Sequence, residues 1–331
     1  MLKADDTRAQ DLQAYARAFT GDQSLALSPL NGDASFRRYF RGGGIIAVDS
    51  PPQTQKNREF IAIDKALFKA GLKAPQILYY DLKWGFLILE DLGDTLFSQV
   101  AAGTKQEYWY LKALALLPKL SAVQPEGGLP PFDEAFVRQE LEIFRQWFLD
   151  KALGLTLNAA EQALIDKAIT LLATAIPKLP VCAMHRDFHC RNLMVLPKGE
   201  LAILDFQDMV RGPYCYDAAS LLYDCYVELP SKLIKKLQVK AHALYRELGL
   251  APQDFEEFIR ELTLVSLQRH LKVLGIFCRL YLRDGKAGYL GDLPLVLGYV
   301  LRECAALPEF AALEDFLLTY AEGHLPCAPC S

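Results

Sequence analysis

Hydrophobic positions change their spacing twice along the chain. Over residues 8–19, Leu12, Tyr15 and Phe19 recur every three to four residues and predict a short amphipathic helix. The stretch LSPLNGDASFRRYFRGGGIIAVDSPP behaves differently. NGD and GGG are turn signals, SFRRYFR is aromatic and extended, and IIAVD is β-branched and ends at two prolines. These segments predict antiparallel strands joined by tight turns. Phe60, Ile63, Leu67 and Phe68 then predict a helix over 57–70, stopped by Gly71. QILYYD and GFLILEDL read as two more strands around LKWG. The first hundred residues thus predict about five strands with one helix among them.

From residue 104 the spacing turns helical. Helices are predicted over 104–123, 133–153 and 159–176, with QPEGGLPP as the loop between the first two. VCAMHRDFHCRNLMVLPKGELAILDFQD interrupts the pattern. Its apolar runs NLMVL and LAILDF flank the turn PKGE and predict a small hairpin. After Asp217 the chain reads as helical nearly to its end. The predicted class is α+β: an N-terminal antiparallel-sheet lobe over 1–91, then a larger, mainly helical lobe over 92–331, with EDLGD between them.

Composition narrows the partners. The 331 residues are 52% hydrophobic and 23% charged, a globular balance, and the net charge is −4. A mildly acidic chain gives no support to nucleic acid or an anionic membrane as the main partner, and no obligate protein partner is evident. The most apolar long stretch, LTLVSLQRHLKVLGIFCRLYL, carries Arg269, His270, Lys272 and Arg279, which are costly in lipid. The first residues lack the apolar core of a signal peptide, so a cytoplasmic location is expected. Eight scattered cysteines are expected to be free thiols, several inside apolar runs. The terminal pair Cys327 and Cys330 lacks the second pair that a zinc site needs and is expected to lie in a mobile tail.

The chemistry concentrates in HRDFHCRN. Asp187 and Asn192 lie five apart on a turn before a strand, and Asp205 closes the other strand of the hairpin. Two oxygen ligands with open positions suit Mg²⁺, and a third carboxylate suits a general base for a hydroxyl nucleophile. The spacing H-R-D-x-x-x-x-N is the kinase catalytic-loop signature, and LDFQD stands where a kinase has D-F-G. Zinc competes as a reading, because His185 and His189 are spaced i, i+4 between Cys182 and Cys190. NLMVL does not suggest the long helix such a site needs. His185 is expected to hold the loop by hydrogen bonds, and His189 to be solvated or to face substrate.

With these motifs the chain resembles the aminoglycoside phosphotransferase/choline kinase superfamily over nearly its whole length. GDASFRRYFR, AVDSPP, LEDLGD, LDFQDMVRGPYCYDAASLL and QRHLKVLGIFCRLYLRDGKAGYLGDLP resemble, more narrowly, the bacterial anomeric kinases for N-acetylmuramate and N-acetylglucosamine. The resemblance implies a two-lobed protein-kinase-like fold, with the nucleotide on the first lobe and the catalytic loop and acceptor site on the second. It implies ATP and Mg²⁺ as cofactors, and transfer to the C1 hydroxyl of an amino sugar in peptidoglycan recycling. Asp187 would be the base or orienter, Asn192 and Asp205 the Mg²⁺ ligands, and Asp217 a brace for the loop. Glu90, Asp91 and Leu92 would hold adenine through backbone groups, and Ser35 would face the phosphates. Other hydroxyl acceptors (an aminoglycoside, choline, homoserine or methylthioribose) and a nucleotide-binding pseudokinase remain alternatives.

One departure stands out. The third strand of a kinase carries a lysine for the nucleotide phosphates, and IIAVDSPP has none. Arg37, Arg38 and Arg41 precede it and Lys56 follows it. Alternation puts Phe36, Arg38 and Phe40 on one face of an extended strand and Arg37, Tyr39 and Arg41 on the other. Arg38 is the expected replacement, with Glu59 as its carboxylate partner. For the acceptor, Asp208, Arg211, His270 and Lys272 are the candidates. Gln268, Arg279 and Arg283 lie on the same long helix as the last two.

Overall fold

The alternating segments near the start of the chain form one antiparallel sheet in the computed structural model, which describes residues 6–30 and 37–326. The NGD turn, Ser35, Cys327 and Cys330 lie outside the described residues. In chain order come α1 (Thr7–Thr20), β1 (Ser28–Pro29), β2 (Arg38–Gly42), β3 (Ile45–Asp49), α2 (Asn57–Lys69), β4 (Ile77–Asp81), β5 (Phe86–Glu90) and α3 (Phe97–Val100). Then follow α4 (Gln106–Leu114), α5 (Leu117–Ser121), α6 (Glu134–Ile143), α7 (Ala159–Ala175), β6 (Val181–Met184), β7 (Leu193–Val195), β8 (Leu201–Ile203) and β9 (Val210–Pro213). The chain ends in α8 (Tyr216–Leu222), α9 (Ser231–Glu247), α10 (Phe255–Leu282), α11 (Leu293–Ala306) and α12 (Ala311–Tyr320). Among the described residues no helix is long and apolar enough to cross a membrane.

The chain divides into two compact units. One comprises Met1–Gln99, Val123–Gly128 and Asn192–Asp208; the other comprises Val100–Ala122, Leu129–Arg191 and Met209–Ser331. The sheet of the first unit runs β1-β2-β3-β5-β4. One of its faces buries Phe40, Ile45, Ala47, Phe86 and Ile88 against Ala9, Leu12 and Ala16 of α1. Period-two alternation therefore turns Tyr39, Val48 and Leu87 to the opposite face. There Phe60 of α2 stacks on Phe206, with ring centroids 4.9 Å apart. The β7–β8 hairpin belongs to this unit and turns at Leu196–Gly199, as PKGE predicts. A backbone bridge from Lys73 to Ala202 joins it to the rest of the unit.

The second unit is mainly helical, with differences from the predicted boundaries. The helix expected over 104–123 breaks into a single tight turn, α4 and α5, because Pro118 supplies no N–H and starts a new helix. The helix expected over 133–153 is α6 continued by the wider π-type turns of Phe144–Ala152. The switch occurs where α10 crosses. A Cβ at Gly275 would come 2.4 Å from the Ile143 carbonyl oxygen, so only glycine permits this approach. The β6–β9 pair carries no alternating signal in VCAM and is absent from the sequence reading. Cys182, Cys190, Cys215, Cys225, Cys278 and Cys304 are buried free thiols.

Candidate active site

Strand β6 delivers the loop His185–Arg191, and buried carboxylates hold its backbone. Asp217, in the first turn of α8, accepts from the His185 N–H at 2.8 Å and the Arg186 N–H at 3.0 Å. Arg186 has φ +77°, a left-handed conformation that a side chain rarely adopts unless its surroundings impose it. Asp224 accepts from the Cys190 N–H at 2.8 Å and from the Tyr226 N–H at 2.9 Å. Burial pushes the Asp217 carboxyl up to about 6. The two histidines are internal: His185 is 1% exposed and His189 7%. Burial pushes His189 down to about 4, and its ring meets Tyr226 edge-on at 5.2 Å. His189 is thus a packed neutral ring, not the solvated or substrate-facing residue expected.

Asp187 is partly exposed. Burial alone would raise its carboxyl, but Lys272, then His189, Arg186 and Arg269, hold it well below the usual carboxylate range. It is therefore an acceptor at neutral pH. Beneath the loop, Glu140 of α6 is 5% exposed and gathers its surroundings. It accepts from Arg186 Nη2 at 2.6 Å and Gln268 Nε2 at 2.9 Å, and Lys272 Nζ lies 3.6 Å away. Lys272 also donates to the Tyr216 hydroxyl at 3.3 Å. Arg269 donates to Cys225 Sγ at 2.9 Å. Sequence reasoning missed Glu140, Asp224 and Arg269. Glu140 sits in a helix with no motif, and Asp224 lies two residues beyond the segment LDFQDMVRGPYCYDAASLL.

In the first unit, the hairpin brings Asn192 and Asp205 to its two open ends. The Leu204 N–H donates to the Asn192 carbonyl at 2.9 Å. Asp205 has φ +57°, is exposed, and accepts from Gln207 Nε2 through Oδ1. An amide and a carboxylate are hard oxygen donors that fit Mg²⁺. The cysteines do not fit zinc: burial pushes Cys182 up to about 12 and raises Cys190 as well, so both stay protonated. Among the described residues no three His, Cys, Asp or Glu side chains form a metal-holding group.

The arginines of β2 and the residue before it separate by face. Arg38 lies on the α1 face, bound to Asp49 (Nε–Oδ2 2.9 Å) and to Asp6 (Nη2–Oδ1 3.1 Å). It is therefore not brought together with Asp205, and the expected partner Glu59 is exposed on α2. Arg37 lies on the opposite face and is 6% exposed. Its Nε donates to Ser50 Oγ at 3.0 Å, and its guanidinium covers the Phe60 ring at 4.6 Å. It also bonds to Tyr39, whose hydroxyl is within electrostatic reach of Asp205. Arg41 clamps the segment after β5, donating to Asp91 Oδ1 at 2.9 Å and the Gly93 carbonyl at 2.8 Å. Glu90 closes β5, and its N–H donates to the Gln76 carbonyl at 2.8 Å. Leu92 follows, half-buried.

The acceptor candidates scatter. Asp208 is exposed in the turn Phe206–Asp208, and Arg211 is exposed on β9. His270 is fully buried between α10 and α11. Its Nδ1 meets Glu303 at 2.8 Å, its Nε2 meets the Tyr223 carbonyl at 2.9 Å, and its ring stacks on Tyr299 at 4.9 Å. Both nitrogens are spent internally, which leaves none for a sugar. Lys272 is 2% exposed and serves the carboxylates beneath the loop.

Comparison with known proteins follows the same lines. A model of the phosphotransferase enzyme family matches residues 26–250. An N-acetylmuramate/N-acetylglucosamine kinase of Pseudomonas aeruginosa is 35% identical, over 97% of this chain and 99% of its own length. One from Neisseria meningitidis is 36% identical over 86% of this chain and 88% of its own. Among solved structures, a Plasmodium vivax ethanolamine kinase has the same fold, with a TM-score of 0.64 at 14% identity, covering 92% of this chain and 89% of that one.

Proposed function

Because the chain belongs to the phosphotransferase enzyme family, we propose that it transfers the γ-phosphoryl group of ATP to the anomeric C1 hydroxyl of N-acetylmuramate and N-acetylglucosamine. The observation that carries this reading is the near full-length match to relatives named for these two sugars. The 1-phosphate so formed suits a nucleotidyltransferase as its consumer, which places the reaction in cytoplasmic recycling of peptidoglycan sugars.

Asp187 accepts the proton of the sugar hydroxyl as its oxygen attacks the γ-phosphorus and ADP departs. Its depressed pKa keeps it ionised for this task. Asn192 and Asp205 would hold Mg²⁺, which when bound would neutralise phosphate charge. Residues 1–91 form the nucleotide lobe and 92–331 carry the catalytic loop and acceptor site. The backbone of Glu90, Asp91 and Leu92 receives adenine. Arg37, not Arg38, stands in for the absent strand lysine, because it shares a face with Tyr39 and Asp205. A second acceptor class, the cationic amines, fits less well: Arg186, Arg269 and Lys272 surround Asp187 with positive charge. The test is ATP turnover by the purified protein with a panel of acceptors. Turnover with the two amino sugars and not with choline or an aminoglycoside is expected; the reverse pattern contradicts the reading.

A further inference from the structure

We propose that Arg191, the last residue of the catalytic loop before Asn192, receives the lactyl carboxylate of N-acetylmuramate and so sets the preference between the two sugars. This deepens the proposed function and rests on it. The two sugars differ by the lactyl ether on C3 of muramate, which carries a carboxylate. That ether lies two ring carbons from the anomeric hydroxyl. A sugar whose hydroxyl meets Asp187 therefore carries its negative charge close to the same loop.

The cations around that loop divide into spent and available. Arg186 is bound to Glu140 and Arg269 to Cys225, and Lys272 is buried and donates to the Tyr216 hydroxyl. Arg191 is accessible: its side chain is 42% exposed. Its guanidinium lies 3.5 Å over the Tyr226 ring. The planar guanidinium carries N–H donors in a fork that matches a carboxylate bidentately, and the Tyr226 ring covers its central carbon. Its acidic neighbour Asp292 is 3.6 Å away, beyond hydrogen-bond range, and does not saturate those donors.

The receptor is also built in advance. Asp224 holds the N–H of Cys190, the residue before Arg191, and the N–H of Tyr226, the ring beneath it. Tyr226 packs on Phe277 at 5.8 Å, and Phe277 on Tyr289 at 5.2 Å. Cation and platform are thus fixed to one buried carboxylate, so little ordering remains when an anion docks.

The experiment compares kcat/KM for both sugars in the wild type, Arg191→Met and Asp292→Asn. Arg191→Met should lower the value for N-acetylmuramate about tenfold or more, mainly through KM, and leave N-acetylglucosamine and ATP within about threefold. Asp292→Asn, which removes a competing negative charge, should lower KM for N-acetylmuramate alone. The neutral methyl ester of N-acetylmuramate should respond to Arg191→Met as N-acetylglucosamine does. Equal losses for both sugars, or a raised KM for ATP, overturn the role of Arg191. A wild type that phosphorylates neither sugar refutes the underlying reading instead, and this inference with it.

Discussion

At the scale of single residues, Asp187 is the proposed base, and its neighbours keep it ionised. Asp187→Asn should lower kcat by about 10²–10⁴-fold and leave the KM for ATP nearly unchanged. Steady-state kinetics on the folded variant check this, and normal turnover would remove Asp187 from its role. Arg37 and Arg38, at the start of β2, make a paired prediction. Arg37→Met should raise the KM for ATP about tenfold or more, because it removes the cation on the Asp205 face. Arg38→Met should instead cost about 1–3 kcal/mol of stability, since Asp49 is 1% exposed and loses one of the two arginines bound to it among the described residues. Urea melts alongside ATP titrations separate the two, and an ATP defect confined to Arg38→Met would reverse the assignment. Asp187, Asn192 and Asp205 could be nominated from the sequence because a motif fixes residue type and spacing. Which arginine lies on the face away from α1 was not legible, because alternation names two faces without saying which one α1 covers.

At the scale of elements, α10 does most of the organising. It supplies Gln268, Arg269 and Lys272 beneath the loop and crosses α6 at Gly275. Gly275→Ala should destabilise the protein by about 1–3 kcal/mol, measured as a lowered Tm, because the added methyl meets backbone that cannot retreat. The joint between α10 and α11 is pH-dependent. Burial alone would lower the His270 pKa, but Glu303 and Cys225 raise it to about 9. A histidine raised in the folded state contributes stability that is complete below its unfolded value near 6.5 and is lost as pH rises through 9. Unfolding free energy should therefore fall from pH 6.5 to 9 by up to about 1.4 kcal/mol per pH unit, and less steeply in His270→Gln. Identical slopes in the two proteins would contradict this. Strands with alternating or β-branched patterns were legible in the sequence, as was the hairpin at PKGE. The β6–β9 pair was not, since four buried small or apolar residues carry no period, and neither was the π-type stretch, which tertiary crossing imposes.

At the scale of the molecule, the antiparallel sheet with a mainly helical remainder was legible because period two gives way to period 3.6 near residue 100. The compact units do not follow that boundary in sequence, since Asn192–Asp208 belongs with the first. A hairpin that packs by its own apolar strands cannot announce from sequence which unit it joins. The arrangement puts the proposed metal ligands on the sheet unit and the proposed base on the helical one. ATP with Mg²⁺ should therefore raise Tm through the first unit's ligands even in Asp187→Asn, and thermal melts across ligand concentration check this. The central claim is the atom that receives phosphate. Phosphorus NMR of the product from ATP and N-acetylglucosamine tests it directly. A signal coupled to the anomeric proton, that of a 1-phosphate, is expected; a signal coupled to the C6 protons, or no sugar phosphate at all, would contradict transfer to C1.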